Sequence, residues 1–466
     1  MLTIHYCCEM GHKGEWRSST VQNSKKLINI KIASCMALSG IRLSSFLNFC
    51  KLLGLPTIQK STHWEYMSRF LYPVIWKNYT AMRKRTIADL VKSGDFIVVC
   101  GDAQFDSPGH CGKFCTYTIM TCDGSKVIDF FIIQKGQLYE GDMEKNACQE
   151  LLTTLTENDN LNIKSFVTDR HKDIRPMMRI QFPWIFHAFD IWHVAKSLGK
   201  KLAKAGLKNP LIKAWTRSIT NHFWYACGAC VGDPKLLKEI FHSCLFHVLD
   251  IHDWEHRKKV HAAFKELSKN KNGNYTLYPT KPTLIGRCQH GPITIGEHRS
   301  TQYFDINDPQ FKVLFDIITD TKFSNDLRFC SEFLHTGRLE SFHSMKLQYL
   351  PKITSFTMET NIVMTMLTAL QNNLCFVPDN ITAKYMTRKY SRAAKQYVVS
   401  EKVFRDKVTF KWEIITEMMD SIKRGEALCY DPDEVDRYIR RAVPETFHGV
   451  TKPPMEELLQ KRKSRM

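Results

Sequence analysis

Phe96-Ile-Val-Val-Cys100 is an unbroken apolar run that stops at Gly101-Asp102. A half-buried strand alternates apolar and polar residues, so a run that is apolar throughout must be covered on both faces. That requires a layered α/β arrangement with this strand inside the sheet. The segments that follow supply its neighbours. Residues 115–121 and 126–134 are two more strand-like runs, joined by Asp123-Gly124, a hairpin turn signal. Over about 141–156, Met143, Cys148, Leu151, Leu152 and Leu155 follow helical spacing. Ser165-Phe-Val-Thr168 reads as a short strand ending at Asp169. A helix over 173–179 and a strand over 185–189, ending at Asp190, come next.

Strand, hairpin, helix, strand, helix, strand is the order of an RNase H-like α/β sheet, with three adjacent strands first and two added by helical crossovers. The expected fold class is a mixed sheet of that kind, interrupted by a helical insertion domain and flanked by helical N- and C-terminal regions. Residues 1–94 form the N-terminal region. In it Leu43, Phe46, Leu47, Cys50 and Leu53 have helical spacing until Gly54 and Pro56. Thr62 and Glu65 have capping-box spacing, and Pro73 interrupts the next helix. The two short helices suit a helix-turn-helix or an ordinary helical hairpin. Cys7-Cys-Glu-Met-Gly-His12 looks like the second half of a Cys/His zinc module, or stray thiols and an imidazole. Residues 95–205 carry the first part of the core, 206–325 the insertion, and 326–375 the second part of the core. Residues 376–466 form a helical C-terminal region with a basic, disordered tail at Lys461, Arg462, Lys463 and Arg465.

Three acids stand out by position. Asp102 ends the first apolar strand, Asp169 ends the fourth, and Glu340 sits on a helix over 338–350. In an RNase H-like sheet the first and fourth strands are neighbours, so the two aspartates face each other. Paired carboxylates repel one another and invite divalent cations. A third acid completes a cradle for two Mg²⁺ (or Mn²⁺) ions about 3.5–4 Å apart. Each acid also has an ordinary reading. Asp169 could cap the following helix, Asp102 could belong to a turn continued by Asp106-Ser-Pro-Gly109, and Glu340 could be solvated.

The 171 residues from Asp169 to Glu340 exceed what the remaining sheet elements need, which implies the insertion. Within it Cys227 and Cys230 are followed, after 16 residues, by His247 and His252. Cys-x2-Cys and His-x4-His at that interval suit a structural Zn²⁺ site. Cys288-Gln-His290 could replace one pair, and Cys244 and His256 are nearby competitors.

The chain has 66 Lys+Arg against 47 Asp+Glu, a net charge of +19 that favours nucleic acid or an anionic membrane surface as partner. The longest apolar stretch, 28–43, is broken by Lys31 and Arg42, short of the ~20 residues that span a bilayer. The start is polar rather than signal-like, and the 16 cysteines are dispersed along the chain. A reduced, membrane-free, basic protein points to the nucleus. Lys196, Lys200 and Lys204 line one face of a helix whose other face carries Val194, Leu198 and Leu202. That row is either solvated surface or a set of DNA backbone contacts.

GDAQFDSPGHCGKFCTYTIM (Gly101–Met120), VTDRHKDIRPMMR (Val167–Arg179), FHAFDIWHVAKSLGKKL (Phe186–Leu202) and HTGRLESFHSMKLQYLPK (His335–Lys352) are specific as a set. Together they resemble a group of animal DDE transposases related to the bacterial ISL-three insertion sequences, over Gly11 to Asn373. The resemblance implies an RNase H-like catalytic domain that cuts and joins double-stranded DNA, at transposon ends and at a target, with Mg²⁺. Action as a homo-oligomer on DNA is compatible with it. It puts the first acid on Asp102, the second on Asp169 and the third on Glu340, with Asp106 and Asp190 as substitutes. The family's Asp-His-Asn element is replaced here by Leu370-Gln-Asn-Asn373. That departure and the truncated-looking start favour a domesticated, non-catalytic nuclear DNA-binding protein. A stand-alone nuclease is a third reading.

Overall fold

In the computed structural model the described residues are 3–22, 25–108, 112–136, 142–269, 284–291, 302–375, 381–391, 396–405, 409–430, 438 and 454–463. The chain opens with a hairpin of β1 (Thr3–Cys7) and β2 (Lys13–Arg17), then a short pair, β3 (Val21–Gln22) and β4 (Lys25–Lys26). Helices α1 (Leu27–Ser39), α2 (Leu43–Leu52), α3 (Lys60–Tyr66) and α4 (Tyr72–Ser93) follow. Next come β5 (Ile97–Phe105), β6 (Phe114–Thr121), β7 (Val127–Gln134), α5 (Met143–Thr153), β8 (Ile163–Thr168), α6 (Ile174–Gln181) and β9 (Phe186–Phe189). A helical stretch comprises α7 (Ile191–Gly206), α8 (Pro210–Ala229), α9 (Pro234–His242), α10 (Cys244–His247), α11 (Lys258–Leu267), α12 (Pro309–Ile318) and α13 (Thr321–Asp326). The chain continues with α14 (Gly337–Lys346), α15 (Met358–Cys375), the hairpin β10 (Ile381–Ser391) and β11 (Gln396–Arg405), and α16 (Phe410–Arg424).

The protein is mixed α/β, and its main sheet has the order β7-β6-β5-β8-β9. β6 and β7 pair antiparallel, from Phe114↔Gln134 to Met120↔Val127, while β8 and β9 pair parallel, from Ser165↔Phe186 to Thr168↔Phe189. The expected element order from the first apolar strand to Asp190 is observed.

Other expectations need correction. The C-terminal region is not wholly helical, because 381–405 carries the β10–β11 hairpin. Its alternating Tyr, Thr, Val and Lys suit a strand. The N-terminal region likewise begins with a hairpin, closed through Gly11 at φ +81°, in the left-handed region glycine tolerates. Pro73 does interrupt the regular α-helix: a π-helical turn, Met67–Leu71, lies between α3 and α4 just before it, although the helical path continues through. Thr62 caps nothing, since α3 begins at Lys60 with Gln59 at its N-cap. Asp102 is not the end of its strand, because β5 runs on to Phe105.

Two compact units divide the chain. One comprises Met1–Ile97, Gly101–Asn162 and Gly337–Met466, and the other Val98–Cys100 and Ile163–Thr336. In the first, β6 and β7 are buried at almost every position, and α4, α5 and α15 pack on them. The acid inside this layer, Asp129, is fully buried. It accepts from the Arg83 Nε at 2.8 Å and from the Tyr79 and Tyr438 hydroxyls, each at 2.9 Å. Removing one side of such a pair costs about 3–5 kcal/mol, because the other charge stays buried. The Gln-Asn-Asn element has a structural use here. Asn373 accepts from Val127 N at 2.7 Å and donates to Val127 O at 2.8 Å, pairing with the start of edge strand β7. A charged acid could not make both bonds.

The core of the second unit is helical and aromatic. Val194, Leu198 and Leu202 of α7 pack with Trp215, Ile219 and Phe223 of α8 around Phe189, Phe241 and Phe315. The indole N–H groups of Trp215 and Trp254 donate to the carbonyls of Gln302 and Ile285 at 3.0 and 3.1 Å. Fully burying a large apolar side chain stabilises by roughly 1.5–3 kcal/mol, so these aromatic residues supply much of what holds the unit together. Among the described residues no helix is long and apolar enough to cross a membrane.

Candidate functional site

β5 carries Asp102 in the first unit. One carboxylate oxygen accepts from Ala103 N at 2.8 Å, and the other lies 3.6 Å from His343 Nδ1 on α14. Gln104, two residues on and on the same strand face, donates to the His343 carbonyl at 3.0 Å. Burial, with Lys346 and Lys352 adding repulsion, pushes the His343 imidazole down to about 3, so the ring is neutral. His343 Nε2 and Gln104 Oε1 have no hydrogen-bond partner among the described residues. Glu340 is exposed in the first turn of α14, three residues before His343 and therefore on the same helix face. The helix bearing the third acid thus packs on the strand bearing the first.

Asp106, the substitute first acid, is spent on the backbone. Its Oδ1 accepts from Lys113 N at 2.9 Å and Phe114 N at 3.1 Å, tying the loop to the start of β6.

In the second unit Asp169 follows β8 directly. It caps no helix, since α6 begins at Ile174 with Asp173 at its N-cap. Asp169 Oδ2 lies 3.2 Å from His193 Nδ1, with both side chains about a third exposed (35% and 31%). Donor atoms of Asp169, Asp190 and His193 all lie within 4.8 Å of one another. Asp190, however, is 2% exposed and already engaged. Its Oδ1 caps α7 by accepting from Trp192 N at 2.6 Å and His193 N at 3.3 Å. Its Oδ2 accepts from Thr336 N at 2.9 Å and from the Thr336 hydroxyl. Asp169 is therefore the partly exposed acid of the group, and Asp190 the buried one that builds its surroundings. Carboxylate oxygens with one imidazole form a donor set that could hold a divalent cation.

Lys196, Lys200 and Lys204 are all exposed on α7. Lys196 Nζ sits 4.2 Å from the centre of the Trp192 ring, a cation–π contact that holds it along the helix.

The four residues expected to hold zinc are not together. Cys227 and Cys230 lie in the helical core, and the Cys230 thiol donates to Cys227 O at 3.2 Å and Ser331 O at 3.3 Å. Burial pushes both thiols up. His247 and His252 do meet, but with Cys288 and His290, all four donor atoms lying within 4.8 Å of one another. Burial pushes the Cys288 thiol up to about 11 in the absence of a bound cation. At the N-terminus, Cys8 Sγ and His12 Nδ1 are 3.4 Å apart across the first hairpin.

His193 and His343 are the residues that sequence reasoning passed over. Each stands three residues after an acid at the start of a helix (Asp190, the substitute second acid, and Glu340), a spacing that puts it near the acid's face. In comparisons with protein-family models and with characterised proteins, nothing matches this chain.

Proposed function

We propose that this chain is a DDE-type DNA transposase of RNase H-like fold, with Asp102, Asp169 and Glu340 as its acidic residues. The observation that carries the reading is the sheet order β7-β6-β5-β8-β9, with one acid on β5 and another directly after its neighbour β8. It is supported by the backbone hydrogen bonds that occupy the two competing acids, Asp106 and Asp190. The helical stretch 206–325 is then the insertion that the long spacing to Glu340 requires.

Mg²⁺ or Mn²⁺, when bound by the carboxylates, supplies the Lewis acidity for phosphoryl transfer. The chain's own residues do the rest. His193 holds the Asp169 carboxylate from one side, and the neutral His343 approaches Asp102 without cancelling its charge. The exposed lysines of α7 contact DNA phosphates, which fix register without reading sequence. In the first reaction a water oxygen bonds to phosphorus and the P–O3′ bond breaks, leaving a 3′-hydroxyl. In the second, the oxygen of that hydroxyl bonds to a phosphorus of the target DNA and the target's own P–O3′ bond breaks, leaving a 3′-hydroxyl on the cut target strand. The partners are double-stranded transposon ends and target, and the compartment is the nucleus. Zinc, in this reading, belongs to the helical unit and takes no part in either reaction.

The test is incubation of the purified chain with a supercoiled plasmid carrying the gene's genomic flanks, with Mg²⁺ or Mn²⁺. The expected result is nicks ending in a 3′-hydroxyl, joined products, and no reaction in chelator. Nicks without joining would reduce the reading to a nuclease. Binding without cleavage would overturn it in favour of a DNA-binding protein.

A further inference from the structure

Apart from the acidic residues, the densest group of metal-binding donors is His247, His252, Cys288 and His290. All four lie in the second unit, where 41 residues separate the first from the third. His247 ends α10, the chain reverses at Asp250 in the left-handed region (φ 58°), and His252 returns to the same point. The 284–291 segment is clipped on by the backbone. Cys288 N donates to His252 O at 2.8 Å, Trp254 N donates to Gly286 O at 2.9 Å, and Asp253 and Arg287 form a β-bridge.

The side chains are arranged around a point. The imidazoles of His247, His252 and His290 are nearly perpendicular in every pairing, at 80–83°, with centroids 4.9, 5.0 and 5.3 Å apart. An ion about 2.0–2.1 Å from each ligating nitrogen lies about 3.2 Å from each ring centre, which sets tetrahedral centroid separations of about 5.2 Å. The same geometry sets nitrogen–nitrogen edges of about 3.4 Å and nitrogen–sulfur edges of about 3.6 Å. The observed separations are 3.2 Å for His252 Nδ1 to His290 Nε2 and 3.6 Å for His247 Nδ1 to Cys288 Sγ.

Proton placement leads to the same point. The outward nitrogen of His252 lies 3.2 Å from Asp250 Oδ1, and that of His290 lies 2.7 Å from Gly291 O. A carboxylate and a carbonyl only accept, so both outward nitrogens donate. The inward nitrogens, Nδ1 of His252 and Nε2 of His290, face each other across the centre of the group. A carboxylate and a carbonyl behind the ligating imidazoles are also the usual outer partners of metal-bound histidines.

We propose that His247, His252, Cys288 and His290 are the ligands of a structural zinc ion that pins the 284–291 segment to the end of α10. Three imidazoles and one thiolate are a donor set zinc favours, and four protein ligands close the tetrahedron, so no position remains for a reacting water. The ion replaces the Cys227/Cys230 pairing that the spacing suggested, and those two thiols remain core residues. This inference does not depend on the DNA reaction.

The decisive experiment is X-ray absorption at the zinc edge of the full chain, purified after expression in zinc-replete medium. One sulfur and three nitrogens in the first shell are expected, with one zinc per chain by elemental analysis. Cobalt in place of zinc should give the visible bands of a tetrahedral site and a thiolate charge-transfer band. Cys288→Ser should remove the charge-transfer band, whereas Cys227→Ser should keep metal and spectrum. Where Cys288→Ser does not fold, the wild-type first shell decides alone. Two sulfurs in that shell, or no zinc in the protein, would overturn the proposal.

Discussion

Asp190→Ala separates an acid that builds the site from one that would do its chemistry. The carboxylate accepts from four donors: Trp192 N, His193 N, Thr336 N and the Thr336 hydroxyl. Losing the cap of α7 costs about 1 kcal/mol. Each hydrogen bond to a charged acceptor is worth about 1.5–3 kcal/mol, and Thr336 N would be left buried without a partner. The cap and the two Thr336 bonds together come to about 4–7 kcal/mol, a large share of the roughly 5–15 kcal/mol that holds a typical domain together. Asp190→Asn keeps one carbonyl oxygen, which can serve the helix end or Thr336 but not both, so its loss should be about half as large. Hydrogen exchange of the α7 amides measures the effect within one unit, without requiring the whole chain to unfold in one step. Protection should fall in the order wild type, Asn, Ala. If Asp190→Ala costs under about 1 kcal/mol by that measure yet abolishes DNA cleavage, Asp190 is a chemical residue and the division of roles is wrong.

Replacing Lys196, Lys200 and Lys204 together by Ala should weaken duplex binding and flatten its salt dependence, since log K falls by about 0.9 per neutralised phosphate. An unchanged slope in a binding titration would make that row solvated surface only. Burial pushes the His187 imidazole down to about 4 and that of His242 to about 3. Unfolded imidazoles titrate near 6.5, so below that pH the unfolded chain binds more protons. The second unit should therefore lose stability as pH falls from about 6.5 toward 4, by on the order of 3 kcal/mol for His187. His187→Phe should flatten that slope in denaturant unfolding, and an unaltered slope would assign the acid sensitivity elsewhere.

The central sheet was legible because strands such as β7 (Val127–Gln134) are buried along their whole length, and burial writes itself as an apolar run; the run Phe96–Cys100 also led to a strand, although only Val99 and Cys100 of it are buried and Phe96 is exposed. The β10–β11 hairpin was not, because its described side chains are mostly exposed and leave no apolar stripe. Asp102 and Asp169 were candidates by their place in the expected sheet order. Which carboxylates are engaged by backbone N–H groups, as Asp106 and Asp190 are, only folding shows. The Cys/His spacing misled for a related reason. Cys227 and Cys230 are three apart on one helix, and that helix turns them into the core. Cys288 and His290 reach His247 and His252 only through tertiary folding, which no local spacing encodes.

The account stands most directly on Asp169→Asn, assayed on the same plasmid for cleavage and binding. The change keeps the side chain's size and removes the charge needed to hold Mg²⁺, while binding rests on the basic surface. Cleavage should fall below detection with DNA affinity nearly unchanged, and Asp106→Asn, whose carbonyl can still accept from Lys113 N and Phe114 N, should remain close to wild type. Cleavage that survives Asp169→Asn, or that is lost equally in Asp106→Asn, would contradict the assignment of Asp102, Asp169 and Glu340.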